Sequence, residues 1–256
     1  PQERFDDRLS TLGGTGIGEW GGNYFGMVDI YRGLAKSSNI YFQAIGRRVF
    51  NKEPEKIRTV ANDFGLGVTN GIDIPGESAG TAPSPQWKKD TFGPVYEQEY
   101  NDNLKAIEEK YSELLAQTTD ESKKERLLWQ KEQEIAAAEA VYKDKVKYYV
   151  DWTLFDSFNN SIGQGYNSYT ILQLANYVAT IVNGGHHYEP YVVDKILDPV
   201  TGEVVEENKP QMKHDVDVSS ETLTIIKKAM AEVTGAEGTA GWLFWDMPEY
   251  SGGGKT

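Results

Sequence analysis

Residues 28–42 read VDIYRGLAKSSNIYF, and the architecture of the chain can be worked out from them. The preceding segment from Gly13 to Gly26 is rich in glycine and predicts a loop, whereas apolar residues recur at helical spacing from Val28 onward. The pattern predicts one or two helices with a break at Ser37 and Ser38. A serine at the break would cap the second helix, which places Asn39 in its first turn.

The last six residues, SGGGKT at 251–256, form a second motif far from the first. Together, Ser37-x-Asn39 and Lys255-Thr256 match two of the three short motifs of serine acyl-transfer sites, S-x-N and K-[ST]-G. The third motif, Ser-x-x-Lys, does not occur in the 256 residues. Each match alone has a structural explanation, either a polar helix cap or a lysine after flexible glycines. Their order along the chain and their flanking sequences favour an acyl-transfer site over these structural explanations.

Those flanks resemble the transpeptidase domain of penicillin-binding proteins, most closely the class B, monofunctional type. The segment 28–42 is similar to the S-x-N segment of that family and the helix before it. Further landmarks follow in the family's order: Phe64-Gly65-Leu66-Gly67, Gly71 to Glu77, Pro83 to Lys89, Ile162 to Tyr166 with Thr170 to Ala175, and Asn183-Gly184-Gly185.

The resemblance implies an α/β fold of the penicillin-binding protein and serine β-lactamase type, with a helical subdomain plus an antiparallel sheet. It also implies peptidoglycan D,D-transpeptidase activity, in which a serine attacks the D-Ala-D-Ala amide of a stem peptide and an amine of a neighbouring stem resolves the ester. β-Lactams would acylate the same serine. The implied location is the extracytoplasmic face of the bacterial cell membrane, with any anchor outside this chain. Without the nucleophilic serine, the chain itself is expected to be an inactive fragment.

The resemblance assigns Ser37, Asn39 and Lys255 to catalysis, and Thr256, Ser37 and Asn39 to substrate binding. Ser37 would relay a proton because a hydroxyl both donates and accepts. Asn39 would hold the catalytic lysine and the substrate amide. Lys255 would attract the terminal carboxylate of the substrate, and Thr256 would donate a hydrogen bond to the same group. Ser37 rather than Ser38 is the motif serine if Asn39 sets the register.

A long, charged segment separates the chain into three predicted parts: 1–96 with the S-x-N element, a helical hairpin inserted at 97–150, and 151–256 from the GQG segment to the K-T edge. Leu104, Ile107, Tyr111 and Leu114 recur at helical spacing in the first arm, and the arms break near Thr118 to Ser122. The hairpin is explained either as a solvated surface feature or as a docking arm for another protein of the cell-wall machinery.

The composition excludes several classes of function. With 39 acidic and 26 basic residues, the formal charge of −13 argues against nucleic acid binding. The absence of cysteine removes disulfides and thiolate metal sites. No cofactor and no metal is expected: Gly163-Gln164-Gly165 lacks the spacing of a phosphate loop, and His186-His187 is predicted to be a surface turn.

The remaining pattern predicts helices over 54–64, over 170–182 with a Thr170 to Gln173 capping box, and over 221–233. The second of these is apolar on most faces and is expected to be buried. Strands are predicted at 71–77, 191–197 and 203–205.

Three other functions are compatible with parts of the sequence. A catalytically silent or penicillin-sensing receptor domain would keep the fold without turnover. A serine β-lactamase should have a shorter distance between its S-x-N-like element and K-T-G. A coiled-coil interaction module explains only the hairpin.

Overall fold

The computed structural model describes residues 3–247, 249 and 251–256, and it divides into two compact units. Pro1–Pro83 with Leu154–Thr256 forms the first unit, and Ser84–Thr153 forms the second. The helices and strands in chain order are β1 (Phe5–Asp6), β2 (Met27–Val28), α1 (Ile30–Lys36), α2 (Asn39–Lys52), α3 (Lys56–Asp63), α4 (Pro85–Ala116), α5 (Glu121–Lys145), α6 (Leu154–Ser161), α7 (Ile171–Val182), β3 (His186–Glu189), β4 (Lys195–Leu197), β5 (Val204–Glu207), β6 (Gln211–Asp215), α8 (Ser220–Thr234) and α9 (Gly241–Phe244).

A hydrophobic core in the first unit joins α1, α7 and α8. Leu34 of α1 packs in this cluster with Ile181 of α7 and with Leu223 and Val233 of α8. Burying side chains of this size contributes about 1.5–3 kcal/mol each. The core therefore holds the end of α1 beside α8, which leads into the glycine-rich tail.

A second apolar cluster fixes the start of α2. Ile40 and Ala44 of α2 are buried with Leu12 of the preceding segment and Phe158 of α6. Because Ile40 lies two residues after Ser38, this packing restricts the turn between α1 and α2.

The strands form antiparallel pairs, β1 with β2, β3 with β6 and β4 with β5. The predicted surface turn at His186-His187 is wrong, because both residues belong to β3. The side chain of His187 is buried, with Nδ1 3.2 Å from Thr180 Oγ1 and Nε2 3.2 Å from Asn70 Oδ1. Burial, with a smaller contribution from nearby His214, lowers the pKa of His187. These long-range partners could not be read from the local sequence.

The predicted strand at 71–77 is also wrong, since this segment is a loop. The carboxylate of Asp73 accepts hydrogen bonds from the amides of Val192 and Val193, at 2.8 and 2.9 Å. Those two amides are thus bound to a side chain rather than to a neighbouring strand. The strand predicted at 191–197 accordingly begins only at Lys195.

Helix α7 has the predicted capping box, in which Thr170 accepts from the Gln173 amide and the Gln173 side chain accepts from the Thr170 amide. The expected burial is wrong, because Ile171 is 85% exposed and Val182 is 58% exposed. Only one side of the helix is buried: Ile181 packs in the core, and Gln173 Nε2 donates to the carbonyls of Val68 and Ala79, at 2.7 and 2.8 Å.

The second unit consists of α4, α5 and a π-helical turn at Val146–Val150. The predicted insertion at 97–150 lies within this unit, and its first helix begins earlier, at Pro85, a proline at the first helical position. Asp120, which lies within the predicted break from Thr118 to Ser122, caps α5. The arms are held together by the stacked rings of Tyr100 and Tyr142, with centroids 4.7 Å apart. Among the residues described here, no helix is long and apolar enough to cross a membrane.

Candidate active site

Ser37 connects α1 to α2 in a left-handed backbone conformation, with φ 55° and ψ 43°. It is the only non-glycine residue with positive φ in the described part of the chain. Its amide donates to Leu34 O at 3.2 Å, and the amide of Ser38 donates to Gly33 O at 2.9 Å. This is the hydrogen-bond pattern of a Schellman motif, whose left-handed position is usually glycine. A serine at this position keeps its hydroxyl at the expense of backbone strain.

The neighbouring Ser38 has a structural role. Its Oγ accepts from the amide of Tyr41 at 3.0 Å and therefore caps α2. The same hydroxyl donates to Asp7 Oδ1 at 2.7 Å, and the residue is fully buried. Of the two serines, only Ser37 directs its hydroxyl toward the glycine-rich tail.

Ser37 and Lys255 are in direct contact although they lie 218 residues apart in the sequence. Lys255 Nζ donates to Ser37 Oγ at 2.6 Å. Ser37 Oγ in turn donates to the main-chain oxygen of Thr256 at 2.7 Å. The hydroxyl thus accepts one hydrogen bond and donates another, which is the arrangement that a proton relay requires.

The ammonium group of Lys255 is in an unusual environment. The residue as a whole is reached by solvent, but surrounding atoms shield its ammonium, and this desolvation lowers the pKa of Lys255. The ring centroid of Phe42 lies 5.9 Å from Nζ. Within the described residues, no carboxylate side chain forms an ion pair with Lys255. The ammonium also donates to the main-chain oxygen of Thr256, so an anionic ligand would share it with that oxygen or displace it.

The tail that carries Lys255 is held against α8. The amide of Gly254 donates to Met230 O at 3.0 Å, and Thr234 Oγ1 donates to Gly252 O at 2.8 Å. A Cβ atom on Gly253 would lie 2.8 Å from the carbonyl carbon of Met230 and 2.9 Å from the amide nitrogen of Ala231. The tail therefore approaches the backbone of α8 so closely that only glycine fits at position 253.

Thr256 is linked to the end of α1 through Thr239, a residue that the sequence analysis missed. The two hydroxyls are 2.7 Å apart, and the amide of Thr239 donates to Ala35 O at 3.0 Å. The only local signal for Thr239 is its position between small residues, Gly238 and Ala240, after α8.

Asn39 is adjacent in sequence, but its side chain has a different partner. Its Nδ2 donates to Gly18 O at 2.8 Å, and its amide donates to Glu19 Oε2 at 3.0 Å. No hydrogen bond joins Asn39 to Ser37, Lys255 or Thr256 in the part of the chain that the structure describes. The structure thus brings three of the four predicted site residues together, whereas the side chain of the fourth, at the start of α2, binds to a neighbouring loop. The Oδ1 atom of Asn39 is left to bind a ligand.

Two acidic residues behind this turn were also missed. Glu19 accepts from the amides of Asn39 and Ile40, at 3.0 and 2.8 Å, and Ser38 Oγ lies 3.0 Å from its Oε1. Burial raises the pKa of Glu19, and a hydrogen bond with the carboxyl of Asp7 raises it further, although the two backbone amides act in the opposite direction. In the sequence, Glu19 is only an acidic residue within a glycine-rich loop.

The cluster of Ser37, Lys255 and Thr256 combines a cation with two hydroxyl groups at one place. Such a set binds a carboxylate by charge-assisted hydrogen bonds and transfers a proton through a hydroxyl. Among the described residues, no group of three or more His, Cys, Asp or Glu side chains has the geometry of a metal site.

Comparison with known proteins gives a family match over the whole chain. Residues 1–256 match the family described as penicillin-binding protein transpeptidase domain. The chain is 24% identical over 232 residues to penicillin-binding protein H of Bacillus subtilis. This alignment covers 84% of the chain and 23% of that protein.

Two solved structures share the fold. Penicillin-binding protein 2B of Streptococcus pneumoniae aligns with a TM-score of 0.57 and 20% identity, over 90% of this chain and 30% of that one. A chain from a structure on the coordination of polymerization and crosslinking by a peptidoglycan synthase complex aligns with a TM-score of 0.61 and 18% identity, over 100% of this chain and 32% of that one.

Proposed function

The chain belongs to the penicillin-binding protein transpeptidase family, and from that premise we propose that it carries the substrate-positioning part of a serine D,D-transpeptidase. The substrate would be a peptidoglycan stem peptide that ends in D-Ala-D-Ala, and β-lactams would act as inhibitors. The observation that supports this proposal most is the 2.6 Å hydrogen bond from Lys255 to Ser37.

In this mechanism Lys255 and Thr256 bind the carboxylate of the terminal D-alanine. The Lys255 ammonium donates to Ser37, and among the described residues no other cation contacts that hydroxyl. The hydroxyl of Thr256 supplies a neutral donor beside it. Together they would place the scissile amide over the nucleophile.

Ser37 and Asn39 would serve the proton transfers. The nucleophilic serine, which we place outside these 256 residues, attacks the amide carbonyl carbon and loses its proton to a base. As the C–N bond breaks, a proton passes through the Ser37 hydroxyl to the departing amine of D-alanine. The Oδ1 atom of Asn39 would accept from the substrate amide. An acceptor amine then attacks the ester and releases the serine.

We place this site at the extracytoplasmic face of the bacterial membrane, where peptidoglycan stem peptides are found. The chain spans 23% of the length of penicillin-binding protein H. The activity therefore belongs to a protein that extends this chain, and the chain alone should not form a covalent adduct with penicillin.

The hairpin at 97–150 is assigned no part in the chemistry, because ion pairs join charged side chains of its two arms to each other. Lys110 contacts Glu134 at 2.6 Å, and Lys131 contacts Glu108 at 2.5 Å. A docking role for a cell-wall protein is the alternative, favoured by Trp129, which is 60% exposed. Deleting 97–150 in the extended protein should leave penicillin labelling unchanged, and lost labelling with retained folding would contradict this assignment.

Two assays on the extended protein test the function. The first is covalent labelling with a fluorescent penicillin, and the second is release of D-alanine from a stem peptide. A transpeptidase gives both signals. Labelling without release would instead support the penicillin-sensing receptor domain, and a folded protein that remains unlabelled would contradict the proposal.

A further inference from the structure

The loop at Ile17, Gly18 and Glu19 is joined to the start of α2 by hydrogen bonds with Asn39, Ile40 and Gln43. Gln43 is fully buried, and its carboxamide accepts from the amide of Ile17 at 2.7 Å and donates to its carbonyl at 2.6 Å. Gly18 O accepts from the Asn39 side chain, and Glu19 accepts from the Asn39 backbone. This loop therefore fixes both the main chain and the carboxamide of Asn39.

The first amides of a helix have no partner within the helix, so their partners decide where the helix begins. In α2 the amides of Asn39 and Ile40 donate to Glu19, and the amide of Tyr41 donates to Ser38 Oγ. The three amides are thus satisfied by one carboxylate from a distant loop and one local hydroxyl.

The location of this contact connects it to the site. Ser37 lies two residues before Asn39, the first residue whose amide Glu19 binds, and it has the strained left-handed backbone described above. A strained residue persists only where its surroundings hold it. The end of α1 fixes Ser37 from one side, through Leu34 and Gly33, and the amides held by Glu19 fix it from the other.

We infer that Glu19 is a positioning residue of the site, which holds the Ser37-Ser38-Asn39 turn in the geometry that faces Lys255. This inference rests on the proposed function and extends it to a residue outside the family's three motifs. Asp7 supports Glu19 from behind, because its Oδ1 accepts from the Ser38 hydroxyl that also faces Glu19.

The substitution Glu19→Gln tests the inference with little change of shape. The two oxygens of Glu19 both face donors: Oε2 faces the amide of Asn39, and Oε1 faces the amide of Ile40 and the hydroxyl of Ser38. In glutamine one oxygen becomes an NH₂ group, so either orientation of the carboxamide sets a donor against a donor.

Glu77 offers a matched control in the same unit. Its carboxylate accepts from the amides of Asn70 and Gly71, at 2.5 and 2.9 Å. Glu77→Gln therefore makes the same chemical change against the same number of backbone amides, away from Ser37 and Lys255. Any purely structural effect of Glu19→Gln should have its counterpart in this variant.

The measurement is the second-order rate constant for penicillin acylation of the extended protein, at a temperature where each variant is folded. We expect Glu19→Gln to lower it about tenfold and Glu77→Gln to leave it unchanged, since small misplacements of catalytic groups reduce rates by up to about 100-fold. Equal rate constants for Glu19→Gln and the wild type would overturn the inference. If Glu19→Gln does not fold, Glu19→Asp, which withdraws the carboxylate by one methylene, replaces it, with Glu77→Asp as control.

Amide hydrogen exchange separates this inference from the proposed function, because it requires no acylation. Glu19→Gln should accelerate exchange at residues 37–41 while Glu77→Gln does not. Unchanged exchange at these amides would overturn the positioning role. A wild-type protein that is never acylated would overturn the proposed function, and the exchange result would still decide the role of Glu19.

Discussion

Lys255 Nζ donates a 2.6 Å hydrogen bond to Ser37 Oγ, and this contact joins two segments that lie 218 residues apart in the sequence. Ser37 reaches it from a left-handed turn, and Lys255 reaches it from a tail packed on α8. Neither residue would be in place without a backbone feature that the fold has to enforce. The two features lead to separate predictions.

The close approach of the tail to α8 predicts opposite outcomes for two adjacent glycines. A Cβ atom at Gly253 would lie 2.8 Å from the Met230 backbone, whereas a Cβ atom at Gly254 would meet nothing within 4 Å. Gly253→Ala should therefore displace Lys255 and reduce penicillin acylation of the extended protein at least tenfold. Gly254→Ala is the control and should acylate at close to the wild-type rate. Equal rates for the two variants would show that Lys255 is not positioned by this packing.

The left-handed backbone of Ser37 predicts that replacing this serine by glycine lowers activity without the loss of stability that alanine would cause. Ser37→Gly removes the strain and the hydroxyl together, whereas Ser37→Ala removes the hydroxyl and keeps the strain. Glycine should therefore be more stable than alanine at this position by about 1 kcal/mol. Denaturant unfolding of both variants measures the difference, and both should lose acylation. An alanine variant as stable as the glycine variant would contradict the strain at Ser37.

The raised pKa of Glu19 predicts a pH dependence of stability. A carboxyl group whose pKa is higher in the folded than in the unfolded protein stabilises the fold. The stabilisation is complete at a pH below the pKa in the unfolded protein, and it is lost as the pH rises through the pKa in the folded protein. Above the ordinary glutamate value of 4.5, the wild-type protein should therefore lose stability relative to Glu19→Gln.

The check is the difference in denaturation midpoint between these two proteins, measured from about pH 4 to pH 7. Among the described residues, Asp7 contributes to the pKa shift of Glu19, and Arg8 and Tyr24 line the same cleft. Asp7→Asn should make the dependence shallower. A difference that does not vary with pH would show that the pKa of Glu19 is the same in the folded and the unfolded protein, and would contradict the raised value.

Local sequence patterns were sufficient to predict the helix boundaries that depend on neighbouring residues. The break at Ser37 and Ser38, the capping box from Thr170 to Gln173 and the helix at Ser220–Thr234 all follow from caps and apolar spacing within a few residues. The choice between Ser37 and Ser38 could not be made from caps alone. The two serines differ through a distant partner, since Ser38 is buried and donates to Asp7, 31 residues away, whereas Ser37 contacts Lys255.

The features that sequence reasoning missed depend on distant partners. The buried His187 has its Nε2 beside Oδ1 of Asn70, which lies 117 residues earlier in the sequence and accepts there. Glu19 has no local signal, since its partners are amides of a helix that begins 20 residues later. The exposed face of α7 was predicted to be buried because hydrophobic content alone does not show whether another element covers it. Contacts with residues distant in the sequence, rather than residue type, decide these positions.

The most direct test of the site is the acylation of the extended protein by a fluorescent penicillin when Lys255 is changed. Lys255→Gln removes the charge but keeps a hydrogen-bond donor, and Lys255→Arg keeps the charge. Preorganised charges at such sites contribute about 100-fold or more to rate. We predict that Lys255→Gln lowers the second-order rate constant about 100-fold and that Lys255→Arg retains more of it. Acylation of folded Lys255→Gln at the wild-type rate would contradict the assignment of Lys255 and Ser37 to the active site.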